Sequence, residues 1–192
     1  MANNLITLAE YKAYIGISST NQDTVINTLI PQVSALVKNI CRRTFLDYVD
    51  EFKVEISKGS PTNRIILQET PILQVSSVEF SEDYGKTYST LTEYTDYVVD
   101  QDADAVEIIA TPYVNYIKTN AYRVSYTAGY ETLPSDLKLA VADLVNYYVR
   151  NDSAIHSQKA VGANTVQIEY ITTTNLPAHI KRVLDQYTAF YG

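Results

Sequence analysis

The chain has 192 residues, with 15 Lys+Arg against 22 Asp+Glu, a formal net charge of −7 and an isoelectric point near 4.8. Its single Cys excludes an internal disulfide framework and a Cys-rich metal site, and the acidic balance excludes a basic nucleic-acid coat. With 46% hydrophobic residues at this length, it can bury a core as one domain, or as one domain carrying an inserted lobe.

At the N-terminus, residues 1–4 are not a basic region followed by an apolar stretch, so no signal peptide is expected. No apolar run approaches the ~18 residues of a membrane span, and a soluble protein without a membrane partner is expected. Thr7-Leu8-Ala9-Glu10 has the form of a capping box. Leu8, Tyr11 and Ile15 then repeat at helical spacing, and Gly16 suits a left-handed cap. A second helix is predicted from Thr20 or Asn21, with Asp23 in its first turn. Its apolar face runs through Val25, Ile26, Leu29, Ile30, Val33, Leu36, Val37, Ile40 and Cys41. Pro31 inside this stretch predicts a kink or a late helix start, because proline lacks the amide proton. Arg42-Arg43 closes the helix. Two roles coexist for this pair: compensation of the helix dipole, and contact with an acidic neighbouring subunit.

The pattern changes at about residue 51. Phe52, Val54 and Ile56 alternate with Lys53, Glu55 and Ser57 at the period of a strand. Further short strands are predicted at Ile65-Ile66-Leu67, Val75 to Phe80, Tyr97-Val98-Val99, Ala105 to Ile109 and Tyr122 to Tyr126, with a turn over Ser81–Gly85. Eight of the 17 Tyr lie between Tyr84 and Tyr126, where strands with one wet face favour them. Residues 51–126 hold six basic and twelve acidic side chains, so nearly the whole charge excess sits in this segment.

The last third returns to helix. Pro134 is placed at a first helical position, and Leu137, Ala140, Val141, Leu144, Val145 and Tyr148 form one face. Residues 151–164 read as an exposed polar loop, and the alternating Val166, Ile168 and Tyr170 as a short strand or extended arm. Leu176-Pro177 opens a final helix with Ile180, Val183, Leu184, Tyr187, Phe190 and Tyr191 on one side. The fold class is therefore α+β: a bundle of about four helices, residues 1–50 and 127–192, with an inserted, mostly antiparallel β lobe, residues 51–126.

Catalytic constellations are missing from this pattern. The sequence has no glycine-rich phosphate loop, no Gly-x-Ser-x-Gly elbow and no His-Glu-x-x-His. His156 and His179 are far apart and read as solvated or interface side chains, and Cys41 reads as a buried thiol. Asp100, Asp102 and Asp104 resemble the start of a calcium loop. However, Ala105 stands where that loop needs Gly and Thr111 where it needs a bidentate Glu, so an acidic turn is expected. Neither an enzyme nor a cofactor is indicated.

The order of features resembles the head–tail connector (adaptor) proteins of tailed bacteriophages. The likeness is carried by the opening helix Leu5 to Ile17, by Cys41-Arg42-Arg43-Thr44-Phe45 and by Thr70 to Val78. It continues in Tyr126-Thr127-Ala128-Gly129-Tyr130 with Leu133 to Val141, and in Leu176 to Tyr187. This resemblance implies a non-enzymatic virion protein, made in the host cytoplasm. It would form a ring, typically a dodecamer, between the portal and a stopper or tail-completion protein, with DNA passing through the channel without specific binding. It also implies that Ile180, Leu184, Tyr187, Phe190 and Tyr191 contact the portal; packing inside the same subunit is the other reading of that stripe. A stopper or tail-completion protein, and a Tyr-rich binding module built on the β lobe, are the alternative functions. If the last helix is a docking element, deletion of residues 177–192 leaves a folded chain that no longer attaches to heads; unfolding would place the helix in the core.

Overall fold

The computed structural model describes residues 3–111, 113, 117–151 and 176–189. The chain divides into two compact units. One comprises Met1–Asn3, Arg43–Thr132 and Tyr191–Gly192, the other Asn4–Arg42 and Leu133–Phe190. The fold is α+β, with antiparallel sheets in the first unit and, among the described residues, four helices in the second.

In the helical unit, α1 (Leu8–Ile15) starts at the capping box read from the sequence. The Thr7 hydroxyl accepts from the Glu10 amide at 3.2 Å, and the Glu10 carboxylate accepts from the Thr7 amide at 2.8 Å. Gly16 closes the helix at φ 73°. The second helix, α2 (Asp23–Cys41), begins two to three residues later than expected, with Gln22 as an uncapped start. Asp23 instead receives the Lys12 ammonium at 2.9 Å. Pro31 lies inside α2 without delaying its start. Pro31 and the Asn27 carbonyl it leaves unpaired are on the exposed side of the helix, where water can serve that oxygen. The buried stripe is Ile26, Ile30, Val33, Val37 and Cys41. Ser34 joins it because its hydroxyl accepts from the Leu5 amide at 3.0 Å.

Helices α3 (Ser135–Asn151) and α4 (Ala178–Tyr187) pack with α2. Both Leu-Pro pairs do start helices, but α3 begins one residue later than expected, because Pro134, like Pro177, stands just before the first helical residue rather than on it. Their carbonyls accept from Lys138 at 2.8 Å and Lys181 at 3.0 Å, the first bond of each helical ladder. Leu137, Val141, Leu144 and Val145 of α3 meet Ile180 and Leu184 of α4 in the core, all at 0–1% exposure. The predicted loop over residues 151–164 and the alternating Val166, Ile168 and Tyr170 lie outside the described residues, apart from Asn151 at the end of α3.

In the β unit, β1 (Lys53–Ser57), β7 (Tyr122–Ala128), β3 (Ile72–Phe80) and β4 (Ser89–Thr90) form a four-stranded sheet in that order. A second sheet has the order β2 (Arg64–Ile66), β6 (Ala105–Ile108), β5 (Tyr97–Asp100), and every strand pair is antiparallel. The sheets share a core of Ile65, Leu67, Val78, Phe80, Tyr97, Val106, Ile108, Tyr122, Val124 and Tyr126. Strand β3 is longer than the alternation predicted, and bulges at Leu73 and Ser76 let it follow β7. The two-residue β4 was not anticipated.

Tyr126 is the polar centre of this core, with no exposed surface. Its hydroxyl donates to Glu55 Oε2 at 2.8 Å and accepts from the Glu69 amide at 3.1 Å. Burial, first, then the neighbouring carboxylates, push this phenol far above its ordinary range. Tyr126→Phe should cost about 1–3 kcal/mol in urea unfolding, because the buried Glu69 amide loses its acceptor.

The turn after β3 is tied by Asp83. One carboxylate oxygen accepts from the Ser81 hydroxyl at 2.8 Å, the Lys86 amide at 2.9 Å and the Thr87 amide at 2.8 Å. The other accepts from the Thr87 hydroxyl at 2.8 Å. These bonds, led by the Thr87 amide, hold the carboxyl at about 2 against an ordinary 3.8. A depressed folded value stabilises above the unfolded one and the gain is lost as pH falls through the folded value. The thermal midpoint of Asp83→Asn should therefore lie below that of the parent at pH 5–7, with the gap closing between about pH 4 and pH 2.

Candidate assembly surfaces

The outer face of the four-stranded sheet inverts the usual rule. Phe52, Val54 and Ile56 are 56%, 57% and 54% exposed, while the alternating Lys53 and Glu55 point to the covered side. The inward polar pair is fully used. Glu55 accepts from Tyr126 and from the Gln68 amide, and Lys53 lies 3.3 Å from Gln68 Oε1 and 3.7 Å from Glu69. Strand β1 is also the end of its sheet, and among the described residues its free edge receives no backbone hydrogen bond. A row of apolar side chains thus flanks an open strand edge, a combination that favours pairing with another strand.

On the same face, beside Ile56, stands Arg123, in register with it. Its guanidinium takes the Glu79 carboxylate in a fork, with Nη2 at 2.9 Å from Oε1, and lies 4.3 Å from the Tyr88 ring centre. The pairing lowers the Glu79 carboxyl below its ordinary value.

The helical unit has two further surfaces of this kind. A groove between α1 and α3 is lined by Ile6, Tyr11, Tyr14, Leu139 and Ala142. Tyr14 and Leu139 remain 45% and 47% exposed. Lys138 holds Glu10 at 2.7 Å on the rim, and Tyr14 donates to Asp143 at 2.6 Å. These bonds lower the Glu10 carboxyl and raise the Tyr14 phenol. On α2, no charged residue occurs between Asp23 and Lys38, so its exposed side is Thr24, Val25, Asn27, Thr28, Pro31, Gln32 and Ala35. Depletion of charge on an exposed face is a mark of interface cores.

Residues 4–190 match the family described as Head completion protein. The chain belongs to the Head completion protein family. It is 22% identical over 191 residues to the head completion protein of Escherichia phage T5, covering 95% of this chain and 97% of that one. Its fold is similar to chains in three gene transfer agent (GTA) structures. These are the neck of an empty GTA particle with C6 symmetry (TM-score 0.59, 13% identity, covering 100% of this chain and 97% of that one), the native GTA virion (0.60, 14%, 98% and 91%) and the neck of the native particle with C12 symmetry (0.57, 14%, 100% and 97%).

In this member of the family the sequence-derived site residues fall in different settings. Ile180 and Leu184 are buried in their own unit, at 1% and 0% exposure. Tyr187 is half-buried and donates to Asp136 at 2.7 Å. Phe190 and Tyr191 lie outside the described residues. Arg42 caps α2 in the left-handed region at φ 55°, its amide bonded to the Lys38 carbonyl. Arg43 starts the β unit, and its Nε is buried and has no hydrogen-bond acceptor among the described residues. Cys41 is buried, with Sγ 3.6 Å from the Leu184 carbonyl. His179 is exposed, 3.7 Å from Asp143, and His156 lies outside the described residues.

The acidic turn is occupied by its own protein. Asp100 pairs with Arg64 and accepts from the Ala103 amide, while Asp104 accepts from the Ile72 amide at 2.9 Å. Among the described residues no group of three potential ligands is close enough to hold a metal ion. The surfaces that sequence reasoning missed are the β1 row and the uncharged side of α2. The signal for the second was present in the sequence: fourteen consecutive residues without a charge, from Thr24 to Val37.

Proposed function

We propose that this member of the family is a non-enzymatic adaptor in the neck of a tailed phage. Identical subunits form a ring, one end of which meets the portal and the other a stopper or tail-completion protein, leaving a channel for DNA. The observation that carries this reading is the family match over residues 4–190, nearly the whole chain. The fold supports it through likeness to chains of GTA necks, one of them with C12 symmetry, which suits a dodecamer. A ring built by rotation joins two different faces of each subunit, and the β1 row, the α1/α3 groove and the uncharged side of α2 supply unlike exposed surfaces.

Charge fits the task of a conduit. A basic wall would retain DNA by counterion release, whereas an acidic chain lets it pass. We place portal contact at the end of α4, through Tyr187, Phe190 and Tyr191, because Ile180 and Leu184 are taken up by their own core. Arg42 and Arg43 remain candidates for the contact between subunits.

The decisive experiment is to disrupt the gene and examine the particles by electron microscopy, with antibody labelling of complemented virions. DNA-filled heads without tails, and label confined to the neck, are expected. Normal virions from the disrupted strain, or label on the tail tip or capsid shell, would overturn the reading.

A further inference from the structure

We propose that, outside the particle, the free edge of β1 pairs with the β1 edge of a second copy, antiparallel and about a two-fold axis through Val54. This pair does not rest on the ring reading. Subunits related by rotation about one ring axis all point the same way, whereas a two-fold across β1 turns one copy against the other. It is a form of the free chain, and entry into a ring separates it.

The edge itself is unguarded. Strand β1 ends its sheet, and among the described residues its backbone bonds to β7 alone. The register with β7 runs unbroken from Lys53 to Ser57, so no bulge turns the edge away, and no proline interrupts it. Val54, Ile56 and the preceding Phe52 line the outer face, each more than half exposed.

The inward face selects the occupant. Lys53 and Glu55 turn to that side, so a strand added here must answer both charges. The strand's own sequence does so when laid antiparallel. With Val54 opposite Val54 of the second copy, each Lys53 meets a Glu55 and each Phe52 meets an Ile56. Opposite-charge pairs then lie on one face and apolar pairs on the other, both of which stabilise neighbouring strands. A slide of two residues keeps the faces but sets Lys53 against Lys53 or Glu55 against Glu55. A slide of one sets apolar against charged side chains.

Three apolar side chains and one short strand per copy fall well short of the ~800 Å² that each partner buries in a standard interface. The pair is therefore weak and reversible, as a form that must later open requires. A two-fold contact also closes at two copies, so it covers the open edge without growing into a filament.

The test uses the full-length chain without portal. Sedimentation velocity over a concentration series should show monomer passing to dimer and no larger species. Val54→Cys should give one disulfide-linked dimer band on non-reducing gels. Ile56→Cys, equally exposed, should cross-link far more slowly, because its symmetry mate is about 13 Å away along the paired strand. Adding Phe52→Cys to Ile56→Cys should restore the dimer band. The native Cys41 is buried and does not contribute. Val54→Lys, which opposes two ammonium groups at the axis, should keep the parent thermal midpoint yet stay monomeric throughout. A parent chain that is monomeric at every concentration would overturn the proposal. So would a ladder of higher multimers from Val54→Cys, equal cross-linking of Ile56→Cys alone, or a dimer that survives Val54→Lys. The gene-disruption experiment decides the neck reading separately.

Discussion

Gly129→Ala is expected to lower stability by about 3 kcal/mol or more, measured as the shift in the urea midpoint, and to deplete soluble protein. The residue has φ 114°, where side-chain-bearing residues are strained. Space is the larger problem. A Cβ would sit 2.2 Å from the Phe45 carbonyl oxygen and 3.0 Å from its carbon, both backbone atoms. Relief would require the strap over residues 45–48 to move away from the end of β7. That strap is held by the Tyr130 amide on the Phe45 carbonyl at 2.8 Å and the Ala128 amide on the Tyr48 carbonyl at 3.0 Å. Gly129 itself donates to the Pro71 carbonyl at 2.9 Å, so the same shift would strain a third contact. Gly16→Ala is the internal control. It too has positive φ, but nothing lies within 4 Å of the added carbon, so a loss of only about 1 kcal/mol is expected.

This contrast shows what a sequence can and cannot disclose. The role of Gly16 was legible because its causes are local: a capping box, a helical repeat and a cap within ten residues. The Tyr-Thr-Ala-Gly-Tyr motif was equally visible, but the reason for its glycine is a carbonyl 84 positions away. Strand β1 makes the same point about faces. Alternation at period two identifies the strand, yet it does not say which side is covered. Here Lys53 and Glu55 turn inward because Tyr126, Gln68 and Glu69 supply their partners, all distant in sequence. Strand β4 has two residues and so no period to read. For the candidate surfaces, the charge-free run of α2 was present in plain sight, but only the structure separates its exposed shoulder from its buried stripe.

Leu184→Ala is expected to destabilise the helical unit by about 3 kcal/mol, within the 2–5 kcal/mol typical of a fully buried leucine. Leu184 has no exposed surface, and it sits beside Ile180 against the α2 and α3 core. The end of the helix is also tied down: the Ala189 amide donates to the Cys41 carbonyl at 2.9 Å. Deleting residues 177–192 would remove Ile180, Leu184 and Ala189 together. Such a chain should lose its cooperative thermal transition, so failure to attach to heads would report unfolding as much as lost docking. Deleting residues 190–192 keeps those three side chains and the Ala189–Cys41 bond. If the end of α4 meets the portal, this shorter deletion should unfold at nearly the parent temperature yet no longer join portal-bearing heads. Retained attachment would move the portal contact elsewhere. On that reading a single helix would serve both purposes, its buried stripe of Ile180 and Leu184 fixing its position in the core while its C-terminal end meets the partner.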